Sequence, residues 1–243
     1  MTKRLSAFPL KIIAIMAMLI NHIGHTFEIY HYSYPAFFLT EVIGKLTFPI
    51  MAYLLVQGFQ YSQNRIKYSL RLGLFGLISA LPFHCLFMYD QPFYLFNNIF
   101  FTLFIGFGLL CCLEKFPAHF FPLVIVAALL TVHSDWNILG VVIIALFYRN
   151  RQEERGYVRP ILIISLAFLG LAVLTYISER DLYTLISDSS MIGMLLVIPL
   201  LDAYNGHRGY SPTWVKWSFY IFYPLHLSLL WLLRFLIWDF KSR

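Results

Sequence analysis

Charge is scarce in this chain. Asp, Glu, Lys and Arg make up 12% of its 243 residues against 60% hydrophobic residues, a balance that excludes an ordinary soluble domain. Long polar stretches are missing too. The gaps between apolar runs reach only about a dozen residues, too few to fold as a separate domain. Cysteine is equally sparse. Cys85, Cys111 and Cys112 lie in apolar runs without metal-ligand spacing, and the adjacent pair is badly placed to bond to itself. They read as packing residues, with no zinc or disulfide role expected. No repeat, low-complexity stretch or linker breaks the chain. The net charge of +6 sits in the loops, so it reads as membrane topology, and nucleic acid is not an expected partner.

What the chain has is apolar runs near the roughly 20 residues that a bilayer requires. They fall at 8–29, 36–61, 68–88, 94–113, 119–133, 136–149, 159–177, 187–204 and 216–238. The expected fold is therefore an all-α polytopic transmembrane bundle of about nine spans (8–10), forming one domain over 1–243. Spans five and six are short and fit either a tilted pair or a re-entrant hairpin. Lys3 and Arg4 precede the first run as in a signal peptide, but no small-residue cleavage site follows, so the run is kept as a span. Pro49, Pro199 and Pro224 fall inside runs and predict kinks.

Cationic residues alternate between loops, which sets the expected orientation. With the N-terminus in the cytoplasm, inner loops hold Arg65, Lys67 and Arg71, then Lys115, then Arg149, Arg151, Arg155 and Arg159, then Arg208 and Lys216. Outer loops hold Asp90, His133 with Asp135, and Glu179, Arg180, Asp181 and Asp188. Only Lys241 and Arg243 in the tail fall on the other side.

Ionisable groups inside apolar spans are costly and mark candidate sites. The first span carries Asn21-His22-Ile23-Gly24-His25, with both imidazoles on nearly one helical face and Asn21 one turn from His25. Glu41 and Lys45 stand at i and i+4 in the outer half of the second span. Asn97, Asn98 and Asp135 reach the same depth. A second level belongs to the last span, where His226 follows Pro224 and is flanked by Tyr220 and Tyr223 near mid-membrane. Arg71, just inside the third span, suits a phosphate. Plainer readings stand beside these: Glu41 and Lys45 pair with each other, the asparagines bond across helices, and the histidines are satisfied structural groups. A metal site is the weakest reading, and none is expected. The two levels together suggest a path, with anions admitted at a basic inner mouth and imidazole chemistry further out, an arrangement that fits acyl transfer.

Several segments carry a resemblance when taken in order: Ile20-Asn21-His22-Ile23-Gly24, Ile43-Gly44-Lys45-Leu46-Thr47-Phe48-Pro49, Tyr68-Ser69-Leu70-Arg71, Ile78-Ser79-Ala80-Leu81-Pro82-Phe83, Asn98-Ile99-Phe100-Phe101-Thr102, Tyr204-Asn205-Gly206 and Phe222-Tyr223-Pro224-Leu225-His226. As an ordered set they resemble the TraX family of bacterial inner-membrane proteins over nearly the whole chain, most weakly across 114–190. The resemblance implies N-terminal acetylation of a conjugative pilin, with acetyl-CoA as donor. It also extends to multi-span acyltransferases that pass an acyl group from cytoplasmic CoA to an extracytoplasmic acceptor. The family pattern has Asp where this chain has Asn21, and Arg where it has Lys45. Losing that carboxylate leaves Glu41 or Asn98 to orient His22.

The expectation is thus a membrane acetyltransferase of the bacterial inner membrane. His22 is the general base, His25 and Asn98 support it, and His226 is a mid-membrane proton or thioester partner. Arg71 and Lys45 contact the donor's phosphate or charge, and Asn21, Glu41 and Tyr223 complete the binding groups. Acetyl-CoA enters as co-substrate, with no permanently bound cofactor; the partners are acyl-CoA, a peptide or pilin acceptor and the bilayer. A proton-coupled transporter or exporter and a non-catalytic pilus-assembly factor are the alternatives.

Overall fold

A computed structural model describes residues 4–239; Lys3, Lys241 and Arg243, used above for orientation, lie outside them. The described chain is all-α, and its nearest approach to a strand is an isolated bridge between Leu5 and Tyr204. In chain order the helices are α1 (Ala7–Thr26), α2 (Tyr34–Gly44), α3 (Thr47–Tyr61), α4 (Arg65–Phe87), α5 (Ile99–Lys115), α6 (Phe120–Leu130), α7 (Asn137–Arg149), α8 (Val158–Glu179), α9 (Leu182–Ser189), α10 (Val197–Asp202) and α11 (Thr213–Arg234).

By length and composition, six stretches can cross a membrane: Ala7–Thr26, Tyr34–Tyr61, Arg65–Phe87, Val158–Glu179, Leu182–Asp202 and Thr213–Ile237. The chain is a multi-pass membrane protein on that measure, with six such stretches where the sequence led us to expect about nine. The difference lies in the middle of the chain. The runs at 94–113, 119–133 and 136–149 become α5, α6 and α7, of 17, 11 and 13 residues. At about 1.5 Å per residue, α6 and α7 fall well short of a roughly 30 Å hydrocarbon core.

Short polar side chains set several helix starts. Ser33 Oγ accepts from the Ala36 amide at 3.3 Å, Asn64 Oδ1 from Lys67 at 2.8 Å, and Asn98 Oδ1 from Phe100 at 3.1 Å. Asp181, capping α9, accepts from the Tyr183 and Thr184 amides; together with the Thr184 hydroxyl these hold its carboxyl below the usual carboxylate range. The three intraspan prolines have different outcomes. Pro49 stands in the first turn of α3, where its missing N–H is harmless, and the chain breaks before it at Lys45–Leu46. Pro199 lies in short α10, behind a 3₁₀ stretch at Ser190–Leu196. Pro224 remains inside continuous α11.

The chain divides into two compact units. One comprises residues up to Met51 with Arg151–Ser211; the other comprises Ala52–Asn150 and the residues from Pro212 onward. In the first unit α1 packs on α2, and α2 and α8 both pack on α9 and the 190–196 segment. Small residues permit the close approaches. A Cβ at Gly44 would lie 2.6 Å from Asn21, and one at Gly193 would lie 2.1 Å from the Val42 carbonyl oxygen. The ends of this unit are joined by backbone bonds, Leu5 N–H to Ala203 O, Asn205 N–H to Leu5 O and Ala7 N–H to His207 O. Arg155 and Tyr157 both donate to Asp202 nearby.

In the second unit α4 packs between α5 and α11, and α5, α6 and α7 pack on one another. Arg65 at the start of α4 pairs with Glu114 at the end of α5. At the other end of α5 the turn before α7 is fastened down, with Ser134 Oγ donating to Phe96 O at 2.8 Å and the Asp135 amide to Asn97 O at 3.1 Å. Large apolar side chains of α8, among them Leu166, Val173 and Leu174, stay exposed, as lipid-facing residues do.

Gly193 abuts rigid backbone, whereas a Cβ at Gly108 meets nothing within 4 Å. Gly193→Ala should therefore lose about 1–3 kcal/mol through overpacking, and Gly108→Ala should gain about 0.5–1 kcal/mol through helix propensity. Thermal midpoints of the two variants in one detergent should move in opposite directions.

Candidate functional site

The first unit contains a carboxylate with almost no access to water: the Glu41 side chain is 2% exposed. Such a charge must be compensated by hydrogen bonds or ion pairs. Three residues do so. Asn21 Nδ2 donates to Oε1, His25 Nε2 lies 2.7 Å from the same oxygen, and Lys45 Nζ lies 3.0 Å from Oε2. Local structure explains the convergence. Asn21 and His25 are one turn apart on α1, Glu41 and Lys45 one turn apart on α2 and its C-cap, and Gly44 lets Asn21 come against α2.

Exposure of the side chains rises outward from Glu41, to 18% at Lys45 and 33% at His25, so His25 is the member that a substrate can reach. A carboxylate only accepts, so Nε2 of His25 carries the proton that it shares with Glu41. That leaves Nδ1 as the basic nitrogen of the neutral ring. His22, three residues earlier, is buried. The carboxylate expected to orient His22 is engaged by His25 instead. Asp188 lies near enough to Lys45 to interact with its charge. By sequence Asp188 stands among the outer-loop charges, and its place inside the apolar run at 187–204 is the signal that it belongs here. Aromatic rings adjoin this network, with Phe37 edge-on to His25 at 5.5 Å and stacked with Tyr183 at 5.4 Å.

The remaining residues singled out from the sequence belong to the second unit. Asn98, fully buried, donates to Gly76 O at 2.9 Å and to Asn97 Oδ1 at 3.1 Å. Together with its cap on α5, this occupies the amide in joining α4 to α5. Arg71 lies on α4 with its guanidinium 5.8 Å from the Tyr68 ring and 6.0 Å from the Tyr220 ring. Tyr223 and His226 are buried on α11, their rings 5.4 Å apart. His226 Nδ1 sits 2.9 Å from Phe222 O. A carbonyl cannot donate, so Nδ1 carries the proton and Nε2 is the basic atom. Among the described residues no three of His, Cys, Asp and Glu converge as a metal site needs.

In the Glu41 network the charged partner of the carboxylate is Lys45 and Asn21 is a neutral donor. One carboxylate and one ammonium balance, and Asn21 adds hydrogen bonds without charge. In Asn21→Asp two carboxylates would share the pocket, and like charges at that distance cannot both ionise at low cost. The thermal midpoint of this variant should fall at neutral pH and recover as the pH is lowered and the pair takes up a proton. Glu41→Ala, which leaves Lys45 without its buried partner, should lose about 3–5 kcal/mol in the same unfolding assay.

Comparison with known proteins covers nearly the whole chain. A family model described as "TraX protein" matches residues 6–234. The "Probable fimbrial assembly protein FimC, serogroup H1" of Dichelobacter nodosus is 29% identical over 246 residues, an alignment covering 93% of this chain and 94% of that protein. No solved structure matches. A match that begins before α1 and runs to the end of α11, taking in both units, shows that the chain belongs to the TraX family.

Proposed function

We propose that the protein is a bacterial inner-membrane acetyltransferase that moves an acetyl group from cytoplasmic acetyl-CoA to the N-terminal amine of a pilin or similar peptide. The observation that carries this reading is the His25–Glu41 pair. A partly accessible imidazole is held by a buried carboxylate, with its second nitrogen left basic, inside apolar helices where such a group is costly to keep. An α-amino group has an ordinary pKa of about 7.7–8.0, so an imidazole can take its proton near neutral pH.

In the net reaction a C–N bond forms at the acyl carbon and the C–S bond of the donor breaks. The amine gives up one proton, which Nδ1 of His25 can take, and the thiol leaves with one. The general-base role, expected of His22 from the sequence, passes in this reading to His25, because Glu41 holds that ring.

Purified protein in lipid nanodiscs should transfer label from radiolabelled acetyl-CoA to a pilin-like N-terminal peptide and not to its N-blocked form. His25→Ala should lower the rate about 10²–10⁴-fold, and Glu41→Gln should lower it with the protein still folded. Full activity in His25→Ala together with loss in His22→Ala would return the role to His22. A second reading, a non-catalytic pilus-assembly factor, draws on the printed name of the Dichelobacter nodosus relative; under it both histidine variants should support pilus formation in cells at the wild-type level.

A further inference from the structure

Helix α4 carries a buried serine that, like Thr26 at the end of α1, lacks the hydrogen bond most helix hydroxyls of this chain make. Serines and threonines in membrane helices ordinarily turn back to a carbonyl one turn earlier. Thr131 does so to Ala127 O, Thr175 to Leu171 O, Ser218 to Val215 O and Ser228 to Pro224 O. Ser79 is 0% exposed and its Oγ has no hydrogen-bond partner. An orphaned buried hydroxyl in lipid-level structure is costly and calls for a physical reason.

Its neighbours supply one. Residues 71, 75 and 79 form an i, i+4, i+8 stripe on α4. Phe75, the middle one, packs 5.2 Å from Tyr220 of α11, so this stripe is the one turned to α11. The two helices run in the same direction, because further along Arg234 donates to Leu86 O. Interpolating between these contacts at about 1.5 Å per residue puts Ser79 at the level of α11 that runs from Tyr223 to His226. On α11, Tyr220, Tyr223 and His226 follow one another at three-residue spacing, and the last two are buried. Arg71, at the other end of the α4 stripe, is about 12 Å from Ser79 along the axis. Its Nε is also buried without a partner, and no carboxylate pairs with it among the described residues.

Near the start of α4, which begins with Arg65 and Lys67, a cation bonded to Tyr220 but without a carboxylate partner shares one helix face with a hydroxyl that has no hydrogen bond two turns further along. We propose that Ser79 is a nucleophile that accepts the acyl group from an acyl thioester whose phosphate is held by Arg71, with His226 as its base. The proposal rests on the acetyltransferase reading and adds a covalent step to it. Ser79 Oγ attacks the thioester carbonyl, a C–O bond forms and the C–S bond breaks. The hydroxyl proton passes to Nε2 of His226 and then to the departing thiolate. The acceptor amine later attacks the serine ester, a C–N bond forms, and the C–O bond breaks as Ser79 recovers a proton.

The test is single-turnover labelling of the full chain in nanodiscs with radiolabelled acetyl-CoA and no acceptor, followed by acid quench and peptide mapping. One acetyl group should appear on the peptide containing Ser79, be released by alkaline hydroxylamine, and disappear on adding acceptor peptide. Ser79→Ala, a change of one buried oxygen, should abolish the label and slow transfer at least about 100-fold, whereas Ser79→Cys should retain a label as a thioester. His226→Ala should slow labelling about 10²–10⁴-fold. Wild-type acceptor acetylation that persists at full rate in Ser79→Ala would overturn the serine step and leave the acetyltransferase reading standing. If wild-type protein labels neither itself nor any acceptor, both fall. Label on Ser79 that never reaches a peptide supports the serine step and overturns the peptide acceptor.

Discussion

A carboxylate removed from water inside apolar helices has to be balanced locally, and much of the first unit follows from that demand at Glu41. Its two oxygens are met by an amide, an imidazole and an ammonium, drawn from two helices that can meet only because position 44 has no side chain. The break after α2 belongs to the same arrangement. It lets the chain leave the helix at Lys45 with the ammonium still one turn from the carboxylate, before Pro49 starts α3.

Composition made the class of protein legible, and helical spacing made parts of the site legible. The i, i+4 relation of Glu41 to Lys45 and the turn between Asn21 and His25 are local, so sequence spacing carries them. Which histidine meets Glu41 is a tertiary question. It depends on how α1 rotates against α2, and the three-residue offset between His22 and His25 gave no basis for choosing. Asn98 shows the complementary difficulty. An asparagine in an apolar run has the same appearance whether it serves chemistry or, as here, caps α5 and bonds to a carbonyl of α4.

Ser79 was invisible from sequence for a different reason. Serines are common in membrane helices and nearly always satisfy themselves on the preceding turn. Only the coordinates distinguish one that does not. In the middle of the chain, apolar composition marks α5, α6 and α7 as membrane-like, but turn residues at Asn97–Asn98 and Thr131–Trp136 keep them short, and those turns are fixed by bonds between distant segments.

The bonds joining Leu5 and Ala7 to residues 203–207 bear on how the protein is made. The first unit is interrupted in sequence by about one hundred residues of the second, so the earliest helix leaves the ribosome long before the strand-like segment that will clasp its start. The Glu41 network, drawn wholly from residues 21–45, can form as soon as α2 has been made, whereas the bonds at Leu5 and Ala7 must wait while Ala52–Asn150 is delivered to the bilayer. The second unit in turn takes its last helix, α11, from the residues after Ser211, so neither unit can be completed before most of the other has been made.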